Sequence, residues 1–178
     1  LARHSGDTAE ARHYFEEAVS RMRALLTKEP ANQTYRDMLG SVLAEFGRML
    51  ATTDPAEAVA VLTESLELLA AAASAAVPQL ETLRGLAQSH ADLSDVLESQ
   101  NHLDDAVSHA REAVALGRRC IEMAPTPEDA PWVKALVQAY DQLIDLAGKL
   151  GDDELAAQSK ADAEPLRQRL AQAAPAAS

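Results

Sequence analysis

Apolar residues recur every three or four positions along most of the chain, with polar residues between them. In one stretch they step by four, three and four residues, at Leu39, Leu43, Phe46 and Leu50. Because an α-helix turns once in about 3.6 residues, these side chains share one helix face. The same steps recur in two later sets: Leu86, His90, Leu93, Leu97 and Leu136, Tyr140, Leu143, Ala147. The pattern predicts amphipathic helices.

The pattern itself repeats with a period of about 48 residues. Phe46, Leu93 and Leu143 occupy matching positions, 47 and 50 residues apart. Two further markers keep the same period, an alanine after each turn-like segment and a proline further on. They are Ala11, Ala58, Ala106 and Ala156, and Pro30, Pro78, Pro125 and Pro175. Three markers with one period indicate tandem repeats of one supersecondary unit.

Each repeat reads as two helices joined by a tight turn, because Asp or Asn can cap a helix start and proline marks a helix end. The helices predicted on this basis span 7–29, 31–52, 55–77, 79–100, 102–124, 128–149 and 152–173, followed by a tail over 173–178. The predicted fold is all-α, an α-α superhelix (solenoid) of about seven antiparallel helices. It forms a single domain over 1–178, with repeat units 1–30, 31–78, 79–125 and 126–175.

The amino end fits the middle of a repeat. Leu1 to Ser5 matches the stretch Leu50-Ala51-Thr52 at the end of a first helix, and Gly6-Asp7 matches the turn that follows it. This interpretation predicts a turn near residue 6. It also predicts that the chain is part of a larger protein with repeats or another domain upstream.

Composition and charge narrow the class of function. The net charge is −12, whereas a nucleic-acid interface needs clustered Lys and Arg, so we expect no nucleic-acid partner. Cys120 is the only cysteine, which leaves no internal disulfide framework. The longest uncharged apolar run, residues 68–77, is about half the roughly 20 residues of a membrane-spanning helix. With no signal peptide at the first residues, we expect a cytoplasmic protein that does not enter a membrane.

Side chains with chemical potential fit structural roles better than catalytic ones. His102 and His109 lie two helical turns apart, but no third potential metal ligand occurs at a matching spacing. His90 and Cys120 occupy positions that are apolar in the other repeats, which favours core packing. The chain has no glycine-rich phosphate loop, no zinc-binding His-Glu-x-x-His and no serine elbow. We therefore predict no catalytic residue, no metal, no cofactor and no enzymatic activity.

The hairpin pattern resembles a known repeat family. The matching segments are Phe46-Gly47 before Asp54 and Ala58, Leu93-Ser94 before Asn101 and Ala106, and Leu143-Ile144 before Gly151 and Ala156. They resemble the tetratricopeptide repeat, although the period exceeds its usual 34 residues. It is similar to the lengthened variety of kinesin light chains and large bacterial proteins, in which a Trp opens the first helix, as Trp132 and Tyr35 would here.

The resemblance implies a concave groove lined by the first helix of each hairpin. Its polar and charged positions would be Arg48, Gln88, Asp95, Glu98, Gln138, Asp141 and Asp145, the candidate peptide-binding residues. Their acidic balance favours a basic or amphipathic peptide as partner. An alternative is that these charges are only the solvated face of the helices.

Two functions fit this sequence. The first is a protein–protein interaction module that binds a peptide or partner domain on its concave face, as the scaffold or sensor part of a larger bacterial protein. The second is a structural spacer or self-association domain that positions an attached enzyme, with homo-oligomers formed through the repeat ends. Light scattering would distinguish them, because concentration-dependent dimers favour self-association and a monomer with a bare groove favours binding.

Overall fold

A computed structural model describes residues 2–74, 79–123 and 130–173, and within these ranges every regular element is a helix. The helices are α1 Ala2–Lys28, α2 Gln33–Leu50, α3 Pro55–Ala73, α4 Leu80–Ser99, α5 Leu103–Met123, α6 Ala130–Leu150 and α7 Asp153–Ala173. The predicted all-α class, with helices that pack on their neighbours as in an α-α helical repeat, is confirmed. In the described helices, no span is both long and apolar enough to cross a membrane.

Three of the predicted helices agree with the observed bounds to within two residues at both ends: 31–52, 79–100 and 152–173. The predicted end of 102–124 and the predicted start of 128–149 lie outside the described residues, and the other end of each helix agrees to within one residue. The third begins at Pro55 as predicted and is observed as far as Ala73, whereas its predicted end at 77 lies outside the described residues. Pro78, Pro125 and Pro175, predicted as helix stops, and the tail after Ala173 also lie outside them. Pro30 lies in the turn between α1 and α2, as predicted.

The amino end differs from the prediction. Helix α1 is continuous from Ala2 to Lys28 and runs through Gly6 and Asp7, so the predicted turn near residue 6 is absent there. A single glycine disfavours a helix interior by only about 1 kcal/mol, and the surrounding Ala, Arg and Glu residues favour helix. The Gly-Asp pair resembles the later turns in sequence, but local propensity here continues the helix.

The predicted caps are observed at three helix starts. A side-chain oxygen of Asn32, Asp54 and Asp152 each accepts a hydrogen bond from the backbone N–H three residues later in the chain. The distances are 3.2, 3.0 and 2.9 Å. Each cap satisfies a donor that has no partner inside the helix. Pro55 occupies the first turn of α3, where its missing N–H costs no hydrogen bond.

The α4–α5 and α6–α7 turns are alike, and the α2–α3 turn is one residue shorter. In the α4–α5 turn the N–H of His102 donates to Leu97 O at 2.9 Å, and in the α6–α7 turn Asp152 donates to Ala147 O at 2.9 Å. The α2–α3 turn instead closes with Asp54 N–H on Leu50 O at 2.8 Å, one residue sooner. This difference explains why Leu50 and Leu97 are 47 residues apart while Ala58 and Ala106 are 48 apart.

The contacts divide the chain into two compact units, residues 1–92 and 93–178, with the boundary inside α4. We call them unit 1 and unit 2 and describe each by itself. The prediction of one domain with four repeat units stays a prediction.

In unit 1, α2 packs on both α1 and α3. A Cβ built at Gly40 would lie 2.7 Å from Leu69 Cγ, and one at Gly47 would lie 2.5 Å from Leu62 Cγ. Contacts that advance along α2 therefore go backward along α3, so the two helices are antiparallel. The predicted inward set of α2 is fully or almost fully buried, at Leu39, Leu43, Phe46 and Leu50.

In unit 2, α6 packs on both α5 and α7. The α4–α5 hairpin is joined by the buried hydroxyl of Ser94, which donates to Ala106 O at 2.8 Å. The predicted inward set of α6 is buried, at Leu136, Tyr140, Leu143 and Ala147. The inward positions deduced from the repeat are therefore correct in both units, with His90 of α4 half-buried rather than buried.

Candidate protein-interaction surface

The seven candidate residues lie on α2, α4 and α6, the first helices of the predicted hairpins. Six of them are exposed and Glu98 is partly exposed, whereas residues a turn away on the same helices form the core. This is the arrangement of amphipathic helices, with one apolar face packed and another open to solvent. The structure groups six of these side chains, all except Gln138, into separate clusters in the two units.

In unit 1, Arg48 and Gln88 converge on one carboxylate that was not among the predicted residues. Arg48 Nε lies 3.2 Å from Asp92 Oδ2, and Gln88 Nε2 donates to Asp92 Oδ1 at 2.9 Å. A second nitrogen of Arg48 contacts Glu45 at 2.6 Å. The cluster links α2 to α4, so Arg48 acts between helices and is only partly available to a ligand.

Asp92 is the buried member of this cluster. Burial raises the pKa of its carboxyl above the ordinary value, while the Gln88 hydrogen bond and the charge of Arg48 act in the opposite direction. A buried carboxylate is tolerated only when it is paired and hydrogen-bonded, and here both oxygens have partners. Loss of either partner should therefore cost more than loss of an exposed ion pair.

In unit 2, Lys149 of α6 brings two predicted acids together. Its ammonium group contacts Glu98 of α4, and it lies 2.6 Å from Asp145 on its own helix. Asp95 accepts a hydrogen bond from Gln142 Nε2 at 2.5 Å. The carboxylates of α4 are thus held against α6 by side chains that α6 supplies.

The fourth predicted acid, Asp141, contacts α7 and not α4. Asp141 of α6 forms an ion pair with Arg167 of α7. Gln138 is exposed on the same helix. The four carboxylates in unit 2, Asp95, Glu98, Asp141 and Asp145, are called the acidic face below. In the described contacts these four carboxylates meet two cations, Lys149 and Arg167, so carboxylates outnumber cations there.

Contacts between helices two apart in the chain follow the repeat period. Asp95 and Gln142 are 47 residues apart, and Glu98 and Lys149 are 51 apart. Both partners advance together, which means that α4 and α6 run parallel. The second helices of unit 1 behave likewise: Arg12 pairs with Glu57 at 2.6 Å and Arg23 with Glu64 at 2.5 Å. Helices α1 and α3 in unit 1, and α4 and α6 in unit 2, therefore lie side by side and parallel, as in stacked hairpins.

The residues missed from the sequence are the partners: Asp92, Gln142, Lys149 and Arg167. The available signal was the separation of opposite charges or hydrogen-bonding pairs by about one repeat, such as 44 residues for Arg48 and Asp92. Lys149 also lies four residues after Asp145, the spacing of neighbours on a helix surface. Counting outward-facing positions one helix at a time does not reveal these pairs.

The other chemically suggestive residues lie apart from this surface. His102 is exposed in the α4–α5 turn, and burial lowers the pKa of the half-buried His109 on α5 against the charges of Asp105 and Glu112. Cys120 is buried, as its position in the repeat predicted. Across the described ranges no three His, Cys, Asp or Glu side chains are grouped so as to hold a metal ion.

The comparisons with known proteins add no family. A scan against models of protein families finds no match for this chain, and a search of curated proteins finds none either. The resemblance to tetratricopeptide repeats therefore stays a proposal, carried by the residues named above.

Proposed function

We propose that this chain is a tetratricopeptide-like interaction module that binds a peptide or partner domain on the face formed by its first helices. We further propose that it is the scaffold or sensor part of a larger bacterial protein and acts in the cytoplasm. The proposed partner is basic or amphipathic, and no catalytic step is assigned to the chain.

The acidic face of unit 2 is the observation that supports this function best. Its four carboxylates are exposed or partly exposed, yet three of them are tied to a neighbouring helix, through Gln142, Lys149 and Arg167. Carboxylates that are held in place lose less conformational freedom on binding, which favours affinity. The excess of carboxylates over cations favours a ligand that carries Lys or Arg.

The existing ion pairs leave room for such a ligand. Exposed ion pairs contribute little to stability, typically about 0–1 kcal/mol, because water and salt screen them. A Lys or Arg of the ligand can therefore share Glu98 or Asp145 with Lys149 at small cost. The attraction acts mainly on the rate of encounter and weakens as salt is added.

The test is a titration of the chain with a dye-labelled, basic, helix-forming peptide at two salt concentrations. Asp95→Asn with Asp145→Asn removes two charges from the acidic face and is expected to weaken binding severalfold, mostly through slower association. Glu112→Gln with Glu122→Gln is the matched control, because these exposed acids lie on α5 and the net charge changes equally.

Equal effects of the two double variants would show that only net charge matters and would count against a binding face. Light scattering of the free chain addresses the alternative function. A chain that binds no peptide and forms oligomers with rising concentration would be a spacer or self-association domain instead.

A further inference from the structure

Asp92 is the one charged residue among the buried side chains of the described ranges. It is 8% exposed, and the other buried polar residues there carry hydroxyl groups. The carboxylate joins α4 to α2, because its Oδ2 atom lies 3.2 Å from Nε of Arg48. Removing a charge from water is costly, so this position is an expensive place for a carboxylate.

The equivalent contact one repeat later is made without a buried charge. Asp95 holds the position of Arg48, 47 residues on, and Gln142 holds the position of Asp92, 50 residues on. Gln142 of α6 donates to Asp95 of α4 at 2.5 Å. A neutral amide can therefore join one first helix to the next. Since a buried ion pair is often no more stabilising than neutral side chains of similar size, stacking alone does not call for the charge of Asp92.

Arg48 is shared between two carboxylates on different helices. Its Nε atom faces Asp92 of α4, and its Nη2 atom lies 2.6 Å from Glu45 on its own helix. Asp92 accepts at Oδ2 from Arg48 and at Oδ1 from Gln88 Nε2, at 2.9 Å. A proton on Oδ2 would turn that oxygen into a hydroxyl, which offers the guanidinium group no ionised acceptor. Glu45 would then be the carboxylate that Arg48 retains.

We infer that Asp92 is a pH-sensitive switch in the contact between α2 and α4. When it is ionised, it holds Arg48 between the two helices. When it is protonated, it releases the guanidinium group to Glu45 and to solvent, and the summed charge of the three side chains becomes less negative. The switch lies within unit 1, and it does not depend on the peptide binding proposed for the acidic face of unit 2.

The surroundings of Asp92 favour its protonated form. Burial raises the pKa of this carboxyl above the ordinary 3.8, and the like charge of Glu45 on α2 acts in the same direction. The Gln88 hydrogen bond and the charge of Arg48 lower the pKa, but burial outweighs them. The folded protein therefore binds this proton more tightly than the unfolded chain does, so acid reaches the switch without opposing the fold at this site.

The test follows the carboxyl carbon of Asp92 and the Nε–H group of Arg48 by NMR while the pH of the full chain is lowered from about 7 to about 3. We expect Asp92 to titrate above 3.8, and the Arg48 signal to move with the same midpoint. Glu45→Gln should lower that midpoint, because it removes a like charge near Asp92. Circular dichroism at each pH establishes that the chain is folded.

Asp92→Asn imitates the protonated state and tests the switch without acid. Its Arg48 signal should take the released position already at about pH 7. Asp153→Asn is the matched control, because Asp153 is an exposed acid in the first turn of α7 and the net charge changes equally. It should leave the Arg48 signal unchanged. Titration of Asp92 at or below 3.8, or an Arg48 signal that is the same in the wild type and in Asp92→Asn at neutral pH, would overturn the proposal.

Discussion

Gly47 of α2 faces Leu62 of α3 so closely that a Cβ at Gly47 would stand 2.5 Å from Leu62 Cγ. The same Cβ would lie 3.5 Å from the carbonyl oxygen of Ala58. One repeat later Ser94 meets the equivalent Ala106 and spans the gap with a hydrogen bond of 2.8 Å. In these two hairpins, the residue at this position thus sets how closely the two helices approach.

Gly47→Ala is therefore expected to destabilise the protein by about 1–3 kcal/mol, because Leu62 must leave its rotamer or the helices must separate. Gly148→Ala is the control, since a Cβ there meets nothing within 4 Å. It should be neutral or stabilise by up to about 1 kcal/mol through helix propensity. Urea unfolding measures both, and a Gly47→Ala variant as stable as the control would disprove the close contact.

The α4–α5 turn depends on one residue in the left-handed region, Asn101 with φ of 62°. Gly151 holds the equivalent place in the α6–α7 turn with φ of 73°. Asn101→Ala should cost about 1 kcal/mol, because alanine tolerates this conformation poorly, whereas Asn101→Gly should be neutral or slightly stabilising. Thermal unfolding of the two variants separates the backbone effect from loss of the Asn side chain. If both lose equal stability, the conformation is not the cause.

Much of the fold could be read from spacing, because burial imposes a regular interval on apolar residues. Phe46, Leu93 and Leu143 are buried where the period places them, and Asp54 caps the start of α3 as predicted. These signals are local or recur at a fixed interval. They can be recognised in a single sequence because they recur in each repeat.

The remainder depends on contacts that one helix does not encode. Gly6 looks like the turn residue Gly151, yet α1 continues through it. Arg48 was identified as an exposed cation, but its partner Asp92 lies on another helix and is buried. Packing between helices decides whether a polar side chain is available to a ligand or contacts a neighbouring helix. The spacing of residues along one helix does not reveal which of the two applies.

Ser65 and Ser89 form a buried polar contact in unit 1. Ser65 donates to Gly40 O at 2.7 Å, so the 3.1 Å contact between the hydroxyls must use the Ser89 proton. Ser65→Ala should cost about 1–2 kcal/mol, because the buried Ser89 hydroxyl would lose its acceptor. Adding Ser89→Ala should recover part of that loss, since no unpaired hydroxyl remains. Denaturant unfolding of the single and double variants tests this, and simple additivity would contradict the coupling.

His109 should make stability depend on pH near neutrality. Burial lowers its pKa below the ordinary 6.5, although Asp105 and Glu112 act in the opposite direction. The folded state therefore binds the proton more weakly than the unfolded chain does. This contribution to stability is complete above the unfolded pKa and is lost as pH falls through the folded one.

The measurement compares the free energy of unfolding of the wild type with that of His109→Gln at about pH 8 and about pH 5. The advantage of the wild type over the variant should shrink on acidification. All other groups are the same in both proteins, so their contributions cancel in the difference. A difference that stays constant, or grows as pH falls, would show that the imidazole is not penalised when protonated.

A substitution at Lys149 should change the proposed binding by the acidic face while leaving the stability of the protein almost unchanged. It contacts both Glu98 and Asp145, and these carboxylates raise the pKa of its ammonium group, which stays charged at any working pH. Lys149→Met keeps the aliphatic part of the side chain and removes the charge. Because exposed ion pairs add little to stability, the urea midpoint should change little.

The same substitution should strengthen binding of a basic peptide severalfold at low salt, because two carboxylates lose their internal competitor. Lys160→Met on α7 is the matched control: Lys160 is exposed and the net charge falls equally. The gain should exceed that of the control and shrink as salt rises, since screening acts on exposed charges. If Lys149→Met and Lys160→Met gave equal gains, long-range net charge would explain them. A weaker affinity in Lys149→Met would mean that the hold of Lys149 on the two carboxylates aids binding more than its competition with the peptide hinders it.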